Sequence, residues 1–217
     1  MDKDTVKEAL KQLKESSKKR NFNQTVDLII NLKGLDMKKP EQHVELYIPM
    51  HYSKGKPLKI CAFVGPELKE DAAKVCDTSI FVDEFPNYQK DKKLIKKLAE
   101  EHDFFIAQAT IMPKVAQVFG KILGTRGKMP NPKAGCVVPP KFAMQPLYDR
   151  LQKTVVAKAK VQPVIKCAVG VENQDEAELI DNIMTVYNAV MHKLPNEENN
   201  IKKLLLKLTM GAPVEVK

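Results

Sequence analysis

Between residues 58 and 152 the hydrophobic pattern alternates strand-type and helix-type segments, whereas the chain on either side reads as strands with one amphipathic helix each. That switch restricts the chain to few architectures. Leu58 to Val64 and Asp103 to Ala107 are short apolar runs followed by helical patterns, which is how buried parallel strands with crossover helices read. The middle is therefore expected to be a wound α/β unit inserted into strand-rich α+β ends. The polar turn Ser53-Lys54-Gly55-Lys56-Pro57 marks the first crossing, and the second falls near Thr154. The expected domains are residues 1–57 plus 154–217, and residues 58–153. Two adjacent crossings predict a hinge.

Within the ends, Val6, Leu10 and Leu13 recur at i, i+4 and i+7, the stripe of a one-sided helix over 4–17. Strands are predicted at 21–32 and 44–48. After the insertion come strands at 154–158 and 164–170, then a helix over 175–193 capped by Asn173. Residues 204–208 and 214–216 close the chain as a strand. Inside the insertion, helices are predicted at 67–76, 90–101, 113–123 and 141–152, with a strand at 79–82. Leu94, Ile95 and Leu98 are expected inward on the second helix. Val115, Val118, Phe119 and Ile122 are expected inward on the third, with Gly124 as its cap.

Charge is distributed unevenly. The chain has 36 basic and 27 acidic residues, a net of +9. From Phe104 to Val171 eleven basic residues face one acid, Asp149, so this third alone carries +10. Ordinary solvated surfaces mix both signs, and such a self-repelling field points to a polyanion. The basic residues are almost all lysine, with arginine only at 20, 126 and 150, which suits phosphate contact better than bidentate base reading. Within this region Gly124-Thr125-Arg126-Gly127-Lys128 invites comparison with a nucleotide phosphate loop. Only two residues separate Gly124 from the Gly-Lys pair, and Met129 takes the place of the hydroxyl residue. The loop also follows a helix instead of a strand, so NTP hydrolysis is disfavoured. The Gly-x-x-Gly spacing resembles the backbone clamp of KH domains, on two glycines alone.

Other chemistries find little support. No apolar run reaches the roughly 20 residues of a membrane span, and the first residues alternate charges where a secretory signal would be apolar. Cys61, Cys76, Cys136 and Cys167 lack metal spacing and read as reduced thiols in or near the core. There is no nucleophile elbow and no His-Glu-x-x-His. His102 beside Asp103 reads as a helix-end residue instead of a base, and Asp83-Glu84 as an exposed turn. No metal site, cofactor or enzymatic activity is expected. Aromatic residues are 6% with no Trp, which favours a folded RNA read by shape over single strands read by stacking. Phe22, between Asn21 and Asn23 and next to Lys18-Lys19-Arg20, is either an exposed ring or a core residue at a strand start.

Four segments in order resemble one family. They are Leu123 to Gly135 (Leu-Gly-Thr-Arg-Gly-Lys-Met-Pro-Asn-Pro-Lys-Ala-Gly), Arg20 to Asp27 (Arg-Asn-Phe-Asn-Gln-Thr-Val-Asp), His102 to Ala107, and Leu208-Thr209-Met210-Gly211. The chain resembles, over essentially its full length, the ribosomal protein L1 family of the large subunit's mobile side stalk, in its archaeal form. Departures are small. Thr125 stands where members often have proline, Gly211-Ala212-Pro213 replaces Gly-Pro, and Lys203 stands where bacterial members place a serine.

The resemblance implies a split, ferredoxin-like α+β terminal domain that binds RNA, with an inserted Rossmann-like three-layer α/β domain. It moves the principal contact away from the basic loop, to Phe22, Thr25, Asp27, Lys158, Lys166, Thr209, Met210 and Gly211. Arg126, Lys128 and Lys133 become a secondary surface. It further implies a cytoplasmic, ribosomal, non-catalytic protein, monomeric when free, with three RNA partners. These are large-subunit rRNA, deacylated tRNA leaving the exit site, and its own mRNA when free protein is in excess.

Overall fold

A computed structural model describes residues 2–18 and 20–216. Lys19, quoted above in the basic run before Phe22, lies outside them. The chain divides into two compact units, residues 1–56 with 153–217 and residues 57–152.

The terminal unit is built on strand β1, Thr25–Leu32. Its alternation is strict: Val26, Leu28, Ile30 and Leu32 are buried while Thr25, Asp27, Ile29 and Asn31 are only partly so. β1 is the second-to-last strand of a four-stranded antiparallel sheet. It pairs on one side with β8, Val164–Val171, and on the other with β9, Ile201–Leu208, which is edged by β10, Val214–Val216. A second, two-stranded antiparallel sheet joins β2, Val44–Pro49, to β7, Thr154–Ala159. Helices α1, Lys3–Ser16, and α7, Glu176–Lys193, pack on each other and over the apolar sheet face, burying Leu10, Leu13, Ile183 and Val186. One face of the four-stranded sheet is thus sealed, and the other presents polar residues.

The other unit has a parallel sheet of β4 (Thr78–Phe81), β3 (Ile60–Val64), β5 (Phe104–Gln108) and β6 (Val137–Val138), in that spatial order. Every residue of β3 and β5 is buried, as strands covered on both faces require. Helix α2, Lys69–Val75, packs against β3, β4 and α6, Met144–Gln152. On one face α3 (Phe85–Lys90), α4 (Lys92–Glu101) and α5 (Met112–Thr125) enclose Phe63, Phe85, Phe105 and Phe119. Phe119 is central, its ring 4.6 Å from that of Phe63 and edge-on to Phe85 at 5.2 Å.

Several expectations need correction. The helix expected at 90–101 is α4, which starts at Lys92 because Asp91 leaves the helical conformation and its carboxylate accepts from Lys93 N at 2.8 Å; the short α3 before it was not expected. Leu94 is not buried: the inward face is Ile95, Leu98 and Ala99, and Leu94 falls at its rim, 45% exposed. Gly124 does not cap α5, which runs on to Thr125; the left-handed residue is Gly127, at φ +64°. On α5 the third buried residue is Leu123, with Val118 and Ile122 only partly covered. α7 is capped by Asp175, which accepts from Ala177 N, and not by Asn173. The turn after Leu208 separates β9 from β10, so the chain closes as an antiparallel pair and not as one strand.

Truncating the ring at the centre of the aromatic cluster tests this packing. Phe119→Ala is expected to lower unfolding free energy by about 3 to 5 kcal/mol. Urea denaturation measures it, and a loss under about 1 kcal/mol would contradict the packing.

Candidate nucleic-acid interface

At one end of the four-stranded sheet, segments far apart in sequence converge. β1 starts beside the end of β9: Thr209 N donates to Thr25 O at 3.1 Å, and Thr25 N donates to Thr209 Oγ1 at 3.0 Å. The Thr209 hydroxyl therefore locks the turn to β1. Beyond it the chain reverses through Met210 and Gly211, with Gly211 N donating to Leu208 O at 3.0 Å. A side chain at Gly211 would press on Leu208 Cβ at 3.2 Å, so glycine keeps the turn tight. Met210 projects from this turn, 62% exposed, and Phe22 from the segment before β1, 51% exposed. Two large apolar side chains held in water, one of them on a hydrogen-bonded turn, are what a docking surface presents.

Polar recesses flank them. One of about 220 Å³ is bordered by Ser16, Ser17, Lys18, Arg20, Gln24, Met210, Gly211 and Ala212. Another of about 400 Å³ is bordered by Arg20, Asn21, Phe22, Asn23, Glu172 and Asn173. Arg20 borders both. Hydroxyls, amides, one arginine and a reversed backbone suit sugar and phosphate contacts across a shallow groove.

The open sheet face continues from this end. Asp27 lies between Ala168 of β8 and Lys207 of β9, and Ile29 between Lys166 and Leu205. Burial raises the Asp27 carboxyl above the usual carboxylate range, while Lys207 and Lys56 pull it back. Lys166 is exposed. Of the expected primary residues, Phe22, Thr25, Thr209, Met210 and Gly211 form one cluster, and Asp27 and Lys166 lie on the adjoining face. Lys158 stands apart, on the two-stranded sheet. Its Nζ is 3.5 Å from Glu45, which Lys160 also grips at 2.8 Å. Burial pushes the Glu45 carboxyl up, but the two lysines outweigh it and hold it below the ordinary range.

The basic loop is engaged with its own unit. Lys128 Nζ donates to Ala99 O at 2.9 Å and to His102 O at 2.7 Å, so an ammonium sits at the C-terminus of α4, where the helix dipole favours it. The Arg126 guanidinium bonds Glu100 at 2.7 Å and holds that carboxyl low. Arg150 donates to Ala134 O at 2.8 Å. Lys133 is exposed at the loop's outer turn.

Sequence reasoning passed over Gln24, which is 1% exposed beneath the cluster. A signal existed: Gln24 has the same parity as Val26, Leu28 and Ile30, so an amide occupies a position where the pattern calls for a core residue. The other expected dull residues are so. His102 caps α4, with Nδ1 3.0 Å from Leu98 O and Nε2 2.9 Å from Thr78 Oγ1. All four cysteines are free and buried, and burial pushes the thiols of Cys76 and Cys136 up to about 11 and that of Cys167 to about 12, far from thiolate chemistry. Among the described residues no cluster could hold a metal ion, and no helix is long and apolar enough to cross a membrane.

If Lys128 serves the loop, its loss is felt in folding. Lys128→Met is expected to lower unfolding free energy by about 1 to 3 kcal/mol, leaving two carbonyls without their donor. Lys133→Ala should stay within about 0.5 kcal/mol of wild type. Chemical denaturation of both variants gives the comparison.

Residues 13–212 match the model of the Ribosomal protein L1p/L10e family. The chain is similar to the large ribosomal subunit protein uL1 of Methanothermococcus thermolithotrophicus, 39% identical over all of this chain and 99% of the relative. It is 38% identical to that of Methanocaldococcus jannaschii, over all of this chain and 97% of the relative. Against that of Methanobrevibacter smithii identity is 40%, over 97% of this chain and 98% of the relative.

Proposed function

Because the chain belongs to the ribosomal protein L1 family, a family of ribosomal structural proteins and not of enzymes, we propose that it binds large-subunit rRNA at the mobile side stalk through its terminal unit. The observation that carries this reading is the cluster at the end of the four-stranded sheet. Phe22 and Met210 stand out in water beside the Thr25–Thr209 lock, and Arg20 borders both flanking recesses. A folded RNA offers both an apolar sugar face and phosphates to meet them.

The large subunit of a cytoplasmic ribosome is the setting. Bound there, the protein moves with the stalk as deacylated tRNA leaves the exit site, and the lysine-rich outer surface helps by weak, sequence-independent attraction to passing phosphates. When free, as a monomer, it binds a similar structure on its own mRNA and represses translation. The proposed primary contacts are Phe22, Thr25, Asp27, Lys166, Thr209, Met210 and Gly211, with Lys158 on the neighbouring sheet in a supporting place. In the basic loop Lys133 faces solvent, so it is the residue there proposed to meet RNA. Arg126 and Lys128 act indirectly, by shaping the loop.

Specific binding and charge attraction separate in a salt series. Against a scrambled RNA of equal length, a stalk rRNA fragment should be preferred by about a thousandfold or more, with the preference kept at high salt. Equal, steeply salt-dependent binding to both RNAs would refute the reading. Met210→Asp or Thr209→Val should cost about 1 to 3 kcal/mol of specific affinity with little change in salt slope. Lys133→Ala should lower the slope by about 1 if it meets a phosphate.

A further inference from the structure

We propose that Gln24 and Glu172 are a positioning pair that sets the geometry of the recognition surface through the bonds between them and to Met210, an inference that rests on the RNA-binding reading above. Gln24 links three separate chain segments. Its Oε1 accepts from Met210 N at 3.2 Å, its Nε2 donates to Glu172 Oε2 at 3.2 Å, and its backbone carbonyl accepts from Glu172 N at 2.8 Å. Gln24 itself borders the first recess, and its amide joins Met210, on that recess, to Glu172, on the second. The side chain is 1% exposed, so bulk water cannot take over either bond.

The turn bearing Met210 does not need Gln24 in order to form. Gly211 N–Leu208 O, Thr209 N–Thr25 O and the Thr209 hydroxyl already close it. The Gln24 bond adds a fixed distance between that turn and the segment through Glu172 and Asn173, which flanks Phe22. A surface read by shape depends on that distance, because contacts on both sides of one RNA element must be made together. Glu172 completes the arrangement. It is part-exposed, and its carboxylate gives the Gln24 amide the acceptor that sets which way the amide faces: oxygen to Met210, nitrogen to Glu172.

Two substitutions with the same charge change separate this role from electrostatics. Glu172→Gln keeps an oxygen for Gln24 Nε2, and Glu172→Ala removes it. Preference for a stalk rRNA fragment over scrambled RNA should stay within about twofold of wild type in Glu172→Gln, and fall roughly fivefold or more in Glu172→Ala. Gln24→Glu opposes two carboxylates and should cost roughly tenfold. The exchange Gln24→Glu with Glu172→Gln restores a donor facing an acceptor and should recover most of that loss. Thermal unfolding of each variant is followed alongside. Because Glu172 is part-exposed, the two single variants at that position remain decisive even where Gln24→Glu is poorly folded. Equal binding by Glu172→Gln and Glu172→Ala, or no recovery in a folded exchange variant, would overturn the pair while the RNA reading stood. A wild-type protein with no preference between the RNAs would overturn that reading and the pair with it.

Discussion

Everything in the terminal unit depends on β1 finding partners from the far end of the chain. Its hydrogen bonds with β8, β9 and the turn after β9 join residues up to 184 positions apart, as at Thr25 and Thr209. Such pairing is entropically expensive and slow unless something shortens the path. The inserted unit does so. Gln152 closes its two ends with its side-chain amide, Oε1 accepting from Leu58 N at 2.8 Å and Nε2 donating to Leu58 O at 2.6 Å. Closing a flexible loop of 94 residues would cost roughly 4 kcal/mol beyond a constant. Once the aromatic core around Phe119 has formed, that cost falls on the inserted unit. Within the terminal unit, β2 and β7 pair with Pro49 opposite Thr154.

The placement of the site follows from the same pairing. Loops at the ends of strands carry exposed functional residues because the strands hold them rigid. Here the segment before β1, the turn after β8 and the turn after β9 come together because those three strands are adjacent. A residue in any of the three is positioned by bonds to the other two. Thr209 reaches Thr25, and Gln24 reaches both Met210 and Glu172. Recognition geometry and sheet register are therefore one constraint: slipping β9 by one residue on β1 would turn Met210 toward the opposite face.

Much of the fold was legible because its signals are local. Alternation in Thr25 to Leu32 and the continuous apolar runs of β3 and β5 told a one-sided sheet from a buried one. Boundaries misread were those decided by single polar contacts. The Asp91 side chain starts α4 at Lys92, two residues later than expected, and Asp175 rather than Asn173 caps α7. The site was legible only through resemblance, since nothing local in Thr209-Met210-Gly211 says that it lies beside Phe22. Gln24 is the exception. Its parity marked it as buried, and a buried amide needs partners, but which partners only the assembled sheet could supply.

The charge pattern shows why density is a poor guide to location. The segment with eleven basic residues and one acid pointed to a polyanion, yet two of its most conspicuous cations, Arg126 and Lys128, are bound to Glu100 and to the carbonyls of Ala99 and His102. These partners all lie at or next to the end of α4, outside the charge-rich segment, so a count confined to that segment could not see them. At the candidate surface the cations Lys18, Arg20 and Lys207 stand among hydroxyls, amides and two exposed apolar side chains held at set places by the sheet. A polyelectrolyte attracts any cation at long range, but it is discriminated by groups whose positions are fixed to within a fraction of an ångström. Net charge is a property of composition, whereas fixed position is a property of the folded sheet.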